Sequence, residues 1–185
     1  YKGAFQDGWE KAVARMVEVL VEPAAEAARD PTRVNVLPGC HLSPGDLDEL
    51  RTVIEDFGLV PTFLPDIAGS LDGHIPDDFT PTTIGGVGVD EVARMGEAVH
   101  TLAIGAQMRA AAQALETKTG VPFTLLERLC GLAPSDALIT LLSDLSGRPV
   151  PLTYRRQRGQ LCDAILDGPF PPRARQPATA AEPCA

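Results

Sequence analysis

Short apolar runs of strand length alternate with segments of helical period along most of this 185-residue chain, and that alternation limits the fold more than any other feature. Val34-Asn35-Val36-Leu37 is a β-branched run closed by Pro38-Gly39, and Leu59 to Leu64 is a second strand. Between them Ser43-Pro44 supplies an N-cap followed by proline at the first helical position, and Leu47, Leu50, Val53, Ile54 and Phe57 recur with helical spacing until Gly58. A strand, a helix and a strand within about thirty residues match one right-handed βαβ crossover. The grammar then repeats. Asp90 to Ala98 reads as helix, Val99 to Ile104 as strand, Gln107 to Thr119 as an Ala-rich helix stopped by Gly120, and Val121 to Leu126 as a fourth strand. Ser135-Asp136 is expected to open a helix carrying Leu138, Leu141, Leu142 and Leu145, ended by Gly147-Arg148-Pro149, and a last helix spans about Leu152 to Leu166. The expected fold class is α/β, a Rossmann-like parallel sheet flanked by helices on both faces.

Ahead of the first strand, Trp9, Ala12, Val13, Met16, Val17 and Leu20 fall on one face of an amphipathic helix that needs a partner surface. The helical face led by Trp9 and the arginines after Pro151 are candidates for subunit contact. Arg148, Arg155, Arg156 and Arg158 form the one basic cluster, read as a solvated helix face or a subunit contact. A net charge of -9 argues against nucleic acid or an anionic membrane as partner. The core must be aliphatic, because hydrophobic residues make up 44% of the chain but only six are Phe, two Tyr and one Trp. The absence of a signal, a transit peptide or a long apolar run predicts a cytoplasmic protein. The opening at Tyr1, without an initiator Met, suggests a piece of something larger. From Gly168 onward prolines lie among Ala and Arg, and a poorly ordered tail is expected.

A polar stretch from Ser70 to Gly86 separates the second strand from the next helix, far longer than ordinary α/β connections. Such a loop is a binding element by default. Ligands in open α/β sheets sit beyond the carboxyl ends of the strands, here Pro38-Gly39-Cys40-His41, Pro65-Asp66, Gly105-Ala106-Gln107 and Glu127-Arg128-Leu129-Cys130. Gly86-Val87-Gly88 follows a loop and lacks the third glycine of a dinucleotide fingerprint, and no P-loop is present. His74 stands near Asp72, Asp77 and Asp78, a group able to hold a divalent cation or do acid/base work, or simply to solvate a turn. His100 precedes an apolar strand and reads as a structural histidine. Cys40, Cys130, Cys162 and Cys184 have no paired spacing, so neither a disulfide framework nor a metal site is expected from them. No nucleophile with base and orienter is visible, so no catalytic residue is assigned.

At this loop the sequence resembles the nitrogenase component 1 family, and within it the N-type subunits of the scaffold on which the iron-molybdenum cofactor is built. The resemblance is carried by an ordered series. It runs through Lys2-Gly3-Ala4-Phe5-Gln6-Asp7-Gly8-Trp9, Val34-Asn35-Val36-Leu37-Pro38-Gly39, Pro44-Gly45-Asp46, Leu64-Pro65-Asp66 and Gly69-Ser70-Leu71-Asp72-Gly73-His74. It continues through Pro81-Thr82-Thr83, Gly85-Gly86, Thr101-Leu102-Ala103-Ile104-Gly105, Met108-Arg109, Thr119-Gly120-Val121-Pro122, Gly131-Leu132, Asp136-Ala137-Leu138 and Ser146-Gly147-Arg148-Pro149-Val150-Pro151.

The resemblance implies a nitrogenase component 1 type domain in a cytoplasmic assembly scaffold. Two E-type and two N-type subunits would form a heterotetramer that holds an iron-sulfur cofactor precursor, mainly in the E-type partner, and passes it on. The nitrogenase iron protein and cofactor-delivery proteins are implied as further partners. Residues 1–33 would then be a helix and linker from a preceding domain, 34–149 the central domain, 150–168 a helix leading to a third, and 169–185 the tail. Cys40 departs from the small residue usual in the P-G-x-H of relatives and is not counted as a ligand. No cluster ligand is assigned to any numbered residue. If the loop acts directly on cofactor, Ser70, Asp72, His74, Thr82 and Thr83 are the candidates. The alternatives are a structural β-type nitrogenase subunit and a metal or redox enzyme using Asp72 and His74; on the scaffold reading the chain needs no catalytic side chain of its own.

Overall fold

The computed structural model describes residues 4–69 and 85–167. These gather into two compact units, one extending to Val150 and one beginning at Pro151. The first contains four parallel strands, β1 (Asp30–Pro38), β2 (Val60–Phe63), β3 (Ala98–Ile104) and β4 (Phe123–Leu126), in the spatial order β2-β1-β3-β4. Registers pair Val34 with Pro61, Val36 with Leu102 and Leu102 with Thr124. The two central strands are buried over Val34 to Pro38 and Thr101 to Ile104, as a sheet covered on both faces requires.

Helices α1 (Phe5–Leu20), α2 (Pro44–Asp56), α3 (Val89–Ala93), α4 (Arg109–Thr119) and α5 (Leu132–Ser146) surround this sheet. The β1-α2-β2 and β3-α4-β4 crossovers run outward in opposite directions, so right-handed connections put α2 and α4 on opposite faces. α1 lies with α4: Val13, Val17 and Val21 pack with Ala111, Ala112 and Leu115, over Leu37 and Ala103 of the sheet. α2 starts where its sequence dictates. Ser43 Oγ accepts from the Asp46 amide while the Asp46 carboxylate accepts from the Ser43 amide at 2.8 Å, a reciprocal cap that also holds Asp46 below the usual carboxylate range. α4 stops at Gly120, whose φ of 71° is the left-handed turn a β-carbon disfavours.

Among the described residues the buried side-chain polar atoms are paired, except Arg29 Nε. Asn35 donates to the Met95 carbonyl at 2.9 Å and to Thr101 Oγ1 at 3.2 Å, stitching β1 to β3 and to the turn before it. Arg29 donates to the Gly120 carbonyl at 2.7 Å, satisfying the end of α4 from the opposite end of the domain's sequence.

Four expectations need correction. The segment expected as one helix from Asp90 to Ala98 divides into α3 and a 3-10 turn over Arg94–Glu97, and β3 begins at Ala98, because Gly96 is pressed against the Glu22 carbonyl. α5 opens at Leu132 rather than Ser135. Proline is tolerated in a first turn, so Pro134 does not block it, and Ser135 Oγ donates to the Leu129 carbonyl instead of capping. The helical face led by Trp9 is turned inward: Trp9 is half-buried against the core. Arg148 is off any helix, its guanidinium lying over Gly58, so only Arg155, Arg156 and Arg158 share a helix, α6 (Leu152–Asp167) in the second unit. Among the described residues no helix is long and apolar enough to cross a membrane.

Candidate functional site

The order β2-β1-β3-β4 reverses between β1 and β3, and the carboxyl ends of those two strands are where an open α/β sheet forms its ligand crevice. β1 ends at Pro38, followed by Gly39, Cys40 and His41; β3 ends at Ile104, followed by Gly105, Ala106 and Gln107. Gln107 turns back between the strands, and its Nε2 lies 3.2 Å from His41 Nδ1. Two glycines make room for it. A β-carbon on Gly39 would stand 2.7 Å from the Ile104 carbonyl oxygen and 2.8 Å from the His41 ring, and would strike the Gln107 amide. One on Gly105, at φ 98°, would stand 2.7 Å from Gln107 Oε1. His41 is exposed and Cys40 half-buried. On the outer side, the Trp9 indole N–H donates to the Pro38 carbonyl at 3.0 Å, fixing the strand end from α1.

The carboxyl end of β2 forms a second polar corner. The Arg51 guanidinium lies 4.5 Å above the Phe63 ring and 2.6 Å from Asp66 Oδ2, while Asp66 Oδ1 accepts from the Ala68 amide. The long loop departs just beyond. Its flanks meet: a β-carbon on Gly85, at φ 85°, would come within 2.9 Å of the Gly69 Cα. The excursion therefore begins and ends at one point on the ligand side of the sheet. Ser70, Asp72, His74, Thr82 and Thr83 fall at 70–84, outside the described residues.

The other candidates lie elsewhere. His100 sits in the first half of β3, away from the ligand edge, with Nε2 2.9 Å from Thr124 Oγ1, and burial lowers its pKa below the ordinary 6.5. It is a structural histidine. The sign of its effect on stability follows from the unfolded chain binding its proton more readily than the folded one. Stability should be full above pH 6.5 and decline as pH falls through 6.5 towards the lowered folded value. Urea midpoints measured from pH 7.5 to 5.5 should show that decline, and His100→Gln should remove this component of it. Cys130 is exposed after β4, Cys162 is on α6, and Cys184 lies outside the described residues. Among the described residues no three His, Cys, Asp or Glu side chains come together as metal ligands.

The His41–Gln107 pair was not legible in the sequence. Both strand ends could be named as ligand-facing, but only the strand order makes them neighbours. Comparison with known proteins then fixes the family. The family model for nitrogenase component 1 type oxidoreductases matches residues 1–183. The chain belongs to the nitrogenase component 1 family. Within that family it is 67% identical over 184 residues to the nitrogenase iron-molybdenum cofactor biosynthesis protein NifN of Bradyrhizobium diazoefficiens, a match covering 99% of this chain and 39% of that protein. It is 45% identical to the protein of the same name from Rhizobium meliloti, covering 99% of this chain and 42% of that one. The chain thus spans about two fifths of the length of the curated relatives it matches. A solved component 1 structure, nitrogenase Cp1 at pH 6.5, superposes with a TM-score of 0.80 and 30% identity, over 89% of this chain and 35% of that one.

Proposed function

We propose that this chain is part of an N-type scaffold subunit for iron-molybdenum cofactor assembly, which pairs with an E-type subunit and helps house an iron-sulfur precursor. The observation that carries the reading is the 67% identity to a cofactor biosynthesis protein across 99% of the chain, against 30% to a nitrogenase component 1 chain. That contrast favours the scaffold over a structural β-type nitrogenase subunit. The physical character of the first unit agrees with a positioning role. It is a rigid sheet with an aliphatic core, and the polar groups at its ligand edge, His41, Gln107, Arg51 and Asp66, are held by one another and by backbone.

The described residues do not enclose a cluster, since no three ligand-type side chains converge. At the ligand edge the imidazole of His41 is a donor suited to iron, and Cys40 is not counted as one. When present, the precursor would supply exposed iron, and this chain would supply a wall, a partner surface and that donor. The division at residues 33, 149 and 168 into a preceding helix and linker, a central domain and a helix towards a third domain belongs to the same reading. So do a cytoplasmic location, the nitrogenase iron protein and cofactor-delivery proteins as transient partners, and a direct role for Ser70, Asp72, His74, Thr82 and Thr83.

The test is anaerobic copurification of the full-length subunit with a tagged E-type subunit. A stable complex carrying iron is the expected result. A subunit that purifies alone and iron-free, with the tagged partner intact, would overturn the scaffold reading. An enzyme working through Asp72 and His74 would instead lose a measurable activity in His74→Ala without any partner present.

A further inference from the structure

We propose that the apolar stripe of α6 is the packing face for a further α/β unit of the same subunit, the place that α1 fills for the first unit. This rests on reading the chain as part of a longer scaffold subunit, and adds to that reading a contact face and what covers it.

Leu161, Cys162, Ile165 and Leu166 share one side of α6, at the i, i+1, i+4, i+5 spacing of a helical stripe. Leu161 is 47% exposed, Ile165 51% and Leu166 70%. Arg158, on the same side one turn earlier, closes the stripe at its N-terminal end, with Nη1 3.8 Å from Cys162 Sγ. Gly159 lies inside the helix, where a β-carbon would meet nothing, so no close approach requires it and it only weakens the helix relative to alanine. Most helical stability in proteins comes from packing an amphipathic face. A helix of this composition therefore calls for a cover on its apolar side.

The chemistry of that cover is read from α1. Both helices are 16 residues long. Val13, Ala14 and Val17 have in α1 the spacing that Leu161, Cys162 and Ile165 have in α6, two branched aliphatic residues with a small one between. In α1 this triple faces a core: Val13 and Val17 are buried among Ala111, Ala112 and Leu115 of α4, over Leu37 and Ala103 of the sheet, and Ala14 packs against the same cluster. α1 also precedes in sequence the sheet that it covers. On the first sheet that place is filled, so by the same grammar α6 covers a sheet that follows it. The curated relatives have the chain to build one, since the matches cover 99% of this chain but only 39% and 42% of theirs. The occupant is thus an aliphatic sheet face with a helix of small residues at the contact, in the same polypeptide, and not the E-type subunit.

The experiment uses the full-length subunit in complex with its E-type partner, carrying Ile165→p-benzoylphenylalanine as a photocrosslinker. Irradiation should give an adduct at the mass of a single N-type chain, and peptide mapping should place its far end beyond residue 185. Gln160→p-benzoylphenylalanine, on the opposite side of the helix, should not give that adduct. An adduct at the summed mass of two subunits, an adduct to residues 4–150, equal adducts from both sides, or none would each overturn the proposal. Hydrogen exchange in the unmodified complex makes the test independent of the probe: amides 161–166 should be protected as strongly as amides 13–17, and exchange at the rate of an unpacked helix would overturn it as well. A subunit that purifies without the E-type partner overturns the scaffold reading itself. The crosslink is still readable on that free subunit, so the two failures are distinguishable.

Discussion

Truncating Leu115 to alanine is expected to cost about 2–5 kcal/mol of unfolding free energy. Leu115 is fully buried on the inner face of α4, in the cluster formed with Val13, Val17, Leu37 and Ala103. Its helical neighbours on that face, Ala111 and Ala112, are already minimal, so they cannot swell into the space left behind. The sheet beneath is pinned by parallel pairing on both sides of β1 and cannot collapse into it either. The cavity should therefore persist, which selects the upper part of the range. Urea unfolding followed by circular dichroism gives the number. Val19→Ala on α1, whose side chain is 60% exposed, should change stability by no more than about 0.5 kcal/mol. Equal costs at the two positions would mean that α1 and α4 do not share a core.

A second large effect is expected at Gly96. A β-carbon there would strike the Glu22 carbonyl oxygen and stand 3.1 Å from the Ala24 amide nitrogen, both backbone atoms that no rotamer change can move aside. The segment after α1 is tied down at the same place, since the Glu22 amide donates to the Ala93 carbonyl at 2.9 Å. Gly96→Ala must separate these two backbones. Overpacking of this kind costs about 1–3 kcal/mol, and here it acts on one attachment. The expected signature is limited proteolysis within residues 21–28 at urea concentrations that leave the wild type intact. Gly45→Ala is the matched control. Its β-carbon would meet nothing nearer than Ser43 Oγ at 3.9 Å, on an exposed helical position where alanine should stabilise by about 0.5–1 kcal/mol. If Gly96→Ala behaves like Gly45→Ala, the close approach of residues 22–24 to the turn before β3 is wrong.

Local chemistry settled the elements whose ends are marked in the sequence. The Ser43-Pro44 start and the Gly120 stop were readable because a capping hydroxyl, a proline lacking its amide hydrogen and a left-handed glycine act within three or four residues of themselves. The two central strands were readable because a strand buried on both faces must be apolar throughout, and the two edge strands because they are short apolar runs bounded by turn residues. Boundaries set by distant contacts were not. The break of the 90–98 segment follows from Glu22, and the inward turn of Trp9 from a carbonyl at Pro38. The family was legible in the ordered motifs, and the match over residues 1–183 agrees with it.

The candidate site divides in the same way. The sequence by itself determined which segments reach the ligand edge, because a parallel sheet sends every strand to the same side. Only the tertiary structure decided which of them meet there, because strand order is fixed by how the helices pack on the two faces, and no local signal encodes it. His41 and Gln107 are 66 positions apart, and each alone is an ordinary surface residue. They form a pair because β1 and β3 are neighbours, and because two glycines, one on each strand end, leave the volume of a carboxamide between them.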